Sequence, residues 1–407
     1  MANSLVTIDM ITREALRIAH EKSQFIGTTD RQYDDAYAKT GAKIGSALRV
    51  RKPNMYTRTT GSRVMDVQDQ TEINGTITLA TQDHVDMRFN SAELALSIDE
   101  ISKRYIEPAM AVLVSGIESD YLAYATKATY NVAGTAGTAL STLAGVGAAR
   151  AKLNKSLAPK DGNRYIQADS TAMGTMVEGL KGLFQDSAQI KEQYREGMIG
   201  RTAMADWYEN DRMWTLTNGS DVDGTLAASA AVTDGGTNVT LASMAAAPAT
   251  GAVFTIPGVY SCHPETKAST GQLQQFVVTT GSTTTNAVSP ATYLTGPRQN
   301  ICSAAGAQLA TTYFDSTALV PVWVGAASTS YIQNLMYHKE AYQFVTADLP
   351  IMDDAAKCVR RSQDGLSLRV WQASDIRNDE LLMRIDMLYG FAALRPEWGC
   401  RLIGASA

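Results

Sequence analysis

The sequence predicts an α+β fold in which a small all-β domain is inserted into a larger domain of helices and strands. Apolar and polar residues alternate over residues 46–90 and again over 380–396, which is the period of a β-strand. Residues 98–128 instead carry apolar side chains at steps of three and four, which is the period of a helix. From Gly219 to Ala310 the chain has only six charged residues and is rich in Thr, Ser, Ala and Gly. Because 407 residues are too many for one compact core, several domains are expected.

The first segment, residues 1–45, is predicted to be a polar arm that carries one amphipathic helix. Ile11, Leu16 and Ile18 recur among charged residues at near-helical spacing. The rest of the segment is rich in Thr, Asp, Gly and Tyr and offers little core of its own. We therefore expect the arm to gain stability by packing on neighbouring molecules.

Residues 46–90 are predicted to form a long antiparallel hairpin with an irregular tip. Val50, Ile77 and Val85 belong to its alternating runs, and the pair Asn74-Gly75 is a turn signal. A two-stranded hairpin is marginally stable in isolation. A second molecule is therefore expected to brace it.

Four basic residues of this hairpin are the candidate contact residues: Arg49, Arg51, Lys52 and Arg58. Their side chains can pair with acidic groups of an adjacent subunit. The alternative interpretation is a solvated strand face, because exposed ion pairs contribute little to stability.

A long helix is predicted over residues 98–128. Two adjacent apolar stripes imply that a broad face of it is buried, and thirty residues of helix span about 45 Å. Ser97 and Glu100 have the spacing of a capping box. Pro108 is expected either to kink the helix or to mark its true start.

Residues 136–218 alternate between helical and strand patterns, which favours a mixed α/β domain. Helices are predicted over about 140–156 and 171–186. The run Arg164–Ala168 between them is predicted to be a short strand.

The inserted all-β domain is predicted over residues 219–310. Short apolar runs recur there at intervals and are separated by turn signals, which is typical of a small sandwich or barrel. A flexible linker of low complexity is the alternative. Phe254, Tyr260 and Phe276 argue against the linker, because a flexible linker does not need aromatic side chains.

Residues 311–407 return to the mixed character of the larger domain. The apolar run 319–324 is predicted to be a buried strand. Residues 366–374 and 380–396 alternate clearly and are predicted to be longer strands. The simplest organisation places the parts of one α/β domain on either side of the inserted domain.

Residues that carry chemistry are few and scattered. The four histidines lie far apart, the four cysteines form no C-x-x-C pair, and no nucleotide-binding or hydrolase motif occurs. Cys262 and His263 are strand neighbours that point to opposite faces. The run from Asp221 to Asp223 lacks the downstream Glu of a calcium loop. We therefore expect a protein that is not an enzyme and that has no cofactor, metal or catalytic site.

The charge and the N-terminal sequence set further expectations. A formal net charge of -5 at pH 7 argues against sequence-specific binding of nucleic acid. The first residues show no secretory signal, and no run approaches the roughly 20 apolar residues of a membrane span. The wide cysteine spacing suits reduced thiols. We expect a soluble protein that is made in the cytoplasm and has no membrane partner.

Four local sequences occur in an order that is informative. They are LSIDEISKRYIEPAMAVL (96–113), YREGMIGRTAMADWYENDRMWTLTNG (194–219), QNLMYHKEAYQFVTADLP (333–350) and LLMRIDMLYGFAALRPEWGCRLIG (381–404). Together with the order of elements, they resemble the major capsid (coat) proteins of tailed bacteriophages, which have the Hong Kong ninety-seven fold. The resemblance is greatest to coat proteins of the P-twenty-two type.

The resemblance implies a division of the chain into named parts. These are an N-terminal arm (1–45), an extended two-stranded E-loop (46–92), the spine helix of the P-domain (93–135), the A/P-domain in two parts (136–218 and 311–407), and an insertion domain within the A-domain (219–310).

The same resemblance implies a function and partners. A coat protein of this type assembles with itself as hexamers and pentamers into the icosahedral shell of the virion, which encloses packaged double-stranded DNA without sequence specificity. The implied partners are a scaffolding protein, a portal protein and, optionally, a decoration protein. Synthesis and assembly take place in the host cytoplasm.

Two other classes of protein remain open. A surface-layer-type or other non-viral self-assembling structural protein fits the region rich in Thr and Ser, but the missing secretory signal argues against it. An enzyme with an inserted β-domain needs a convergent polar site that the sequence does not show. Assembly into large closed particles distinguishes the coat protein from both.

Overall fold

The structure is a computed structural model that describes most of the chain: residues 8–31, 47–61, 65, 67–68, 72–90, 102–180, 199–222, 224–227, 231–315, 318–351, 357–375 and 380–406. The chain divides into two compact units. The first unit comprises Met1–Val50, Asn74–Tyr121 and Tyr342–Leu394, and the second comprises Arg51–Ile73, Leu122–Ala341 and Arg395–Ala407.

The described helices are α1 (Ile8–Lys22), α2 (Phe25–Thr28), α3 (Glu107–Ala128), α4 (Leu143–Lys155) and α5 (Ser170–Leu180). A π-helical turn, Ser102–Ile106, precedes α3. Short 3₁₀ turns are Gly296–Arg298, Thr311–Phe314, Lys339–Ala341 and Pro396–Trp398. No helix in the described part of the chain is both long enough and apolar enough to cross a membrane.

The described strands are, in chain order, β1 (Ala47–Arg51), β2 (Asn74–Thr78), β3 (Thr81–Asn90), β4 (Val132–Ala133), β5 (Arg164–Ala168), β6 (Arg201–Thr202), β7 (Ala205–Glu209), β8 (Thr215–Thr217), β9 (Thr225–Leu226), β10 (Asn238–Ala242), β11 (Val253–Cys262), β12 (Ser269–Thr280), β13 (Thr285–Ser289), β14 (Ile301–Cys302), β15 (Val322–Trp323), β16 (Ser330–His338), β17 (Tyr342–Ala347), β18 (Lys357–Gln363), β19 (Leu366–Asp375), β20 (Glu380–Ala393) and β21 (Gly399–Ser406). These elements confirm the predicted α+β class.

The first unit contains a five-stranded sheet in the order β17-β20-β19-β18, and β3 pairs with β20. The long strand β20 is its central member, because it pairs with β17, β19 and β3. The alternation over residues 380–396 therefore predicted this strand correctly.

The predicted hairpin over residues 46–90 is wrong in one respect. β1 pairs with β2, but β3 pairs with β20, from Thr81 opposite Tyr389 to Asn90 opposite Glu380. Alternation marks a strand and its buried face, but it does not identify the neighbouring strand. The sequence pattern that forms β3 was therefore assigned to the hairpin instead of to its true neighbour, β20.

An aromatic cluster forms part of the core of the first unit. The ring of Tyr121 on α3 lies 4.6 Å from Phe25, 5.5 Å from Phe344 and 5.4 Å from Phe391, measured between ring centroids. Phe344 also stacks on Tyr389 at 5.8 Å. Aromatic pairs at such distances add to the stabilisation that burial of their area already provides.

The described part of the N-terminal segment packs within its own unit, and packing of the arm on neighbouring molecules stays a prediction. The carboxylate of Glu118, on α3 and fully buried, accepts hydrogen bonds from the backbone N–H groups of Gln24, at 2.7 Å, and of Phe25. Asp30 extends the sheet by a parallel bridge to Gln343. The sequence did not identify these contacts, because one amphipathic face does not show which surface covers it. The rest of the predicted arm lies outside the described residues.

The second unit contains two seven-stranded sheets. The first has the order β4-β21-β16-β5-β7-β6, with β8 paired to β16, and the second has the order β14-β11-β12-β13-β10-β9, with β15 paired to β11. The second sheet has its own apolar core, which includes Phe254, Phe276 and Phe314. This packing accounts for the aromatic residues in that region, and the domain boundaries 219–310 stay a prediction.

Several local predictions can be compared with the structure. The strand Arg164–Ala168 is confirmed, and α3 begins at Glu107, so Pro108 marks the start of the α-helix rather than a kink. The buried strand over residues 319–324 is wrong: only Val322–Trp323 is a strand, at a sheet edge, and Val322 is 57% exposed. Ser97, Glu100 and the end of the helix predicted over 171–186 lie outside the described residues.

A buried ion pair joins two strands of the first unit. Arg369 on β19 and Asp386 on β20 are cross-strand neighbours, and their side chains are 5% and 1% exposed. Arg369 Nε donates to Asp386 Oδ1 at 3.0 Å, and Gln82 Nε2 donates to Asp386 Oδ2 at 3.0 Å. Removal of one partner of such a pair leaves an uncompensated charge in the core.

Replacement Asp386→Ala is therefore expected to lower the free energy of unfolding by about 3–5 kcal/mol, measured by urea denaturation of the free subunit. The matched control is Glu380→Ala on the same strand, because Glu380 pairs with Arg88, which is 69% exposed. The control is expected to cost about 1 kcal/mol or less. Equal losses of unfolding free energy in the two variants would contradict the role of Arg369 and Asp386 as a stabilising buried ion pair.

Candidate assembly interface

The candidate contact loop connects β1 to β2. At its base, the backbone N–H of Lys52 donates to the carbonyl of Ile73 at 2.8 Å. Further along, Thr57 and Gln68 exchange two hydrogen bonds of 2.8 and 2.7 Å between backbone and side-chain amide groups. The two sides of the loop therefore remain paired beyond the strands. We call residues 47–78, where the structure describes them, the finger.

The structure places the four predicted basic residues on this finger. Arg49, Arg51 and Arg58 are exposed, and Lys52 is half-buried. Arg51 lies 3.6 Å from Glu72, and the two side chains are 79% and 58% exposed, so this pair contributes little within the subunit. The described part of the finger shows no acidic partner for the other three.

Sequence reasoning missed the apolar residues of the finger. Met55, Tyr56, Met65 and Val67 are 43%, 56%, 86% and 78% exposed. A group of exposed large apolar side chains is a feature of interaction surfaces. The available signal was their occurrence in short groups among polar residues, such as the adjacent Met55 and Tyr56, where no local periodicity explains them.

A groove in the first unit lies between β3 and α3. It has a volume of about 300 Å³ and is lined by Gln82, Asp83, His84, Val85, Val112, Leu113 and Gly116. Val112 is 67% exposed on one wall. On the other, Asp83 Oδ2 accepts a hydrogen bond of 2.8 Å from the Tyr389 hydroxyl. The groove thus combines apolar and acidic groups. Burial, followed by the hydrogen bond and the charge of Asp83, raises the pKa of Tyr389.

A polar joint in the second unit attaches its second sheet to its first. The side-chain amide of Gln275 on β12 accepts from the backbone N–H of Val132 at 2.8 Å and donates to the Val132 carbonyl at 3.2 Å. Lys152 Nζ donates to the same Gln275 oxygen at 2.5 Å and to the Val132 carbonyl at 2.6 Å. Burial lowers the pKa of Lys152 and raises the pKa of the nearby Cys400 thiol to about 12.

Buried apolar and cationic groups complete this joint. Val132, Val253, Val277, Tyr331 and Ile403 form one apolar cluster from both sheets. Arg401, which is fully buried, donates to the carbonyl of Gly251 at 2.7 Å. The position of the second sheet is thus fixed by several kinds of interaction at once.

Two of the residues considered for chemistry make local hydrogen bonds with the backbone. The Nδ1 atom of His263 accepts from the backbone N–H groups of Glu265 and Thr266, both at 3.3 Å, which is a turn. Asp221 accepts from the backbone N–H of Ala245, and Asp223 lies outside the described residues. Among the residues that the structure describes, no group of three or more His, Cys, Asp or Glu side chains can hold a metal ion.

Comparison with known proteins gives one family match. The family model for the P22 coat protein (gene protein 5) matches residues 55–404 of this chain. A comparison with curated proteins gives no match. The matched range includes the finger from Met55 onward, the groove and the polar joint.

Several solved structures are similar to this chain at low identity. The structure of Mycobacterium phage Che8 is 10% identical, covers 93% of this chain and 90% of its own, and has a TM-score of 0.48. The capsid of Cyanophage P-SCSP1u is 12% identical, with coverages of 90% and 85% and a TM-score of 0.42. The mature capsid of bacteriophage PhiM1 is 12% identical, with coverages of 88% and 81% and a TM-score of 0.40.

The polar joint generates a prediction about stability. Replacement Gln275→Leu removes the partner of the buried Val132 backbone and one acceptor of Lys152. We expect the free energy of unfolding to fall by about 2–3 kcal/mol and the Val132 amide to lose protection from hydrogen exchange. The matched control is Gln308→Leu at an exposed position, where the change should stay within about 0.5 kcal/mol. If the Val132 amide keeps its protection from hydrogen exchange in Gln275→Leu, the hydrogen bond between Gln275 and Val132 is excluded.

Proposed function

The chain belongs to the P22 coat protein family and is a structural major capsid protein of a phage, and from this premise we propose how it assembles. Copies of the chain form hexamers and pentamers, which close into an icosahedral shell around double-stranded DNA. Assembly takes place in the host cytoplasm, with a separate scaffolding protein and a portal protein as partners. The subunit has no catalytic activity of its own.

The surface composition of the finger is the main support for this proposal. It exposes large apolar side chains, with Met65 86% exposed, beside basic residues that have a weak acidic partner or none among the residues that the structure describes. Burial of such side chains stabilises an assembly by about 25 cal/mol per Å² of apolar surface removed from water. The finger therefore suits contact with a second subunit, and Arg49, Arg51, Lys52 and Arg58 are proposed contact residues.

The groove between β3 and α3 is the proposed receiving surface on a second copy. Val112 and Val85 offer apolar contact to the finger tip, and Asp83 offers an acidic partner to the basic residues. Charge complementarity of this kind steers the encounter and fixes its register more than it adds affinity. The groove is open, so a side chain can enter it without rearrangement of the subunit.

The charge balance supports the proposed relation to DNA. With a net charge of -5, the subunit as a whole does not attract polyanions. A strongly basic inner wall binds phosphates tightly and holds packaged DNA against release. A mildly acidic subunit is therefore suited to enclose DNA without sequence-specific contacts. A decoration protein is an optional outer partner in this proposal.

The first test is negative-stain electron microscopy of the protein after co-expression with its neighbouring genes. Uniform icosahedral particles tens of nanometres across are expected, since hexamers and pentamers must close into a shell of that scale. Small monodisperse species, obtained with all neighbouring genes present, would overturn the proposed assembly.

The second test addresses the finger. The double variant Tyr56→Ser/Met65→Ser is expected to lower the yield of particles at least tenfold, because apolar contact area is lost at every subunit interface. The free energy of unfolding of the free subunit should change by less than about 0.5 kcal/mol, since both side chains are exposed.

Two comparisons make the finger test specific. Val320→Ser removes an exposed apolar side chain, 47% exposed, that is not part of residues 47–78, and it should leave the yield unchanged. A variant with Gln at positions 49, 51, 52 and 58 should slow assembly mainly at low salt, where charges are least screened. An unaltered yield in Tyr56→Ser/Met65→Ser would exclude the finger as a contact.

A further inference from the structure

Two hairpins of the chain have the same tight turn but different residues in it. In the β6–β7 hairpin, Arg201 lies opposite Asp206 and Thr202 opposite Ala205, so Ala203 and Met204 form the turn. In the β18–β19 hairpin, Gln363 lies opposite Leu366, so residues 364–365 form the turn. Each is a two-residue connection between antiparallel strands.

The backbone angles assign both turns to one type. Ala203 and Met204 have φ values of 53° and 67°, and Asp364 and Gly365 have φ values of 47° and 79°. Positive φ at both central residues defines the type I′ turn, for which Asn-Gly and Asp-Gly are preferred. The β18–β19 hairpin follows this preference and the β6–β7 hairpin does not.

The Ala203-Met204 turn therefore carries a cost that the other turn avoids. A left-handed conformation disfavours an ordinary L-residue by roughly five- to thirtyfold in equilibrium constant. Glycine has no such penalty, because it lacks a Cβ atom. A strained backbone position is a reason to look for a function of the residue that occupies it.

The described contacts of the hairpin come from its strands rather than from its turn. Trp207 Nε1 donates to Thr202 Oγ1 at 2.6 Å, and Arg201 lies 3.2 Å from Asp206 and donates to the carbonyl of Gly162 at 2.8 Å. These bonds hold the hairpin closed whichever residues form the turn. They do not explain why methionine occupies position 204.

The position and charge of the turn indicate its partner. β6 is the last strand of its sheet, so the hairpin lies at an edge, and both turn residues are partly exposed. The charges of Arg201 and Asp206 compensate each other, which leaves an apolar tip beside a neutral pair. Such a tip offers nothing to a phosphate backbone and suits an apolar contact with protein, for which the flexible methionine side chain is well adapted.

We infer that Met204 is a contact residue between copies of this chain, and that the strained turn is retained because this contact forms only in the shell. The inference rests on the proposed function, since a second copy is the partner that surrounds each subunit in a shell. It adds a second interaction surface, which is separate in sequence from the finger.

Two substitutions distinguish the effect of backbone strain in the turn from the effect of a contact between Met204 and a second copy. Ala203→Asn relieves strain at the first turn position and keeps Met204, so the folding equilibrium constant should rise by about three- to tenfold with particle yield unchanged. Met204→Gly should raise the folding equilibrium constant by a similar factor but lower the yield of particles at least fivefold relative to the unmodified protein. Stability is measured by urea denaturation of free subunits.

Each other result of Met204→Gly overturns the inference. A stabilised subunit with full particle yield would show that methionine has no role in assembly. A destabilised subunit would show that Met204 packs within its own chain. If the unmodified protein forms no particles, the proposed function fails instead, and the stability measurement still reports on the strain.

Photo-crosslinking identifies the partner. The photoreactive residue p-benzoylphenylalanine, in place of Met204, should give a covalent dimer of the chain in assembled particles and not in free subunits. A product with any other protein of the particle, or a dimer that forms equally in free subunits, would overturn the assignment of a second copy.

Discussion

The fully buried carboxylate of Glu118 is the constraint on which the first unit depends. It lies on α3 and accepts hydrogen bonds from the backbone N–H groups of Gln24 and Phe25, at the start of α2. Burial of a carboxylate carries a desolvation cost that hydrogen bonds offset, and these two bonds join the N-terminal segment to α3. Phe25 is then held against Tyr121, and the aromatic cluster extends from there to β17 and β20. Strand β20 in turn carries Asp386, whose charge is compensated by Arg369. One helix thus organises both the N-terminal segment and the central strand.

In the second unit, two sheets are held in a fixed position relative to each other. The apolar core of the second sheet is its own, so this sheet needs the first only for attachment. Gln275 replaces a strand neighbour for Val132, and Lys152 and Arg401 donate hydrogen bonds to the carbonyl groups of Val132 and Gly251. Such interactions are directional, whereas apolar contact alone permits sliding. A subunit that must repeat the same geometry in every copy of a shell benefits from directional attachment.

The interior of the subunit and its proposed contact surfaces differ in how charged and apolar side chains are satisfied. Inside, charged groups such as Asp386 are paired and aromatic rings are packed. On the finger, large apolar side chains are exposed and basic groups have weak partners or none among the described residues. The Ala203-Met204 turn shows the same trend in the backbone, because it departs from a preference that the chain satisfies at residues 364–365. In the proposed assembly, burial of these exposed apolar side chains between copies contributes free energy that the isolated subunit does not have.

The sequence by itself determined the fold class, the long strand β20 and the scarcity of recognisable catalytic motifs, because periodicity and residue type are local properties. For Pro108 it left a kink and a helix start as alternatives, and the structure decided for the start. Its motifs also identified the coat-protein family. Only the tertiary structure decided which strand pairs with β3, what covers α1 and Phe25, and that Val322 lies at an exposed edge, since these depend on residues far away in the chain. The same limit applies to the candidate interface. Arg49, Arg51, Lys52 and Arg58 stood out by charge, whereas Met65 and Met204 could not, because exposure and backbone angle become defined only when the chain has folded.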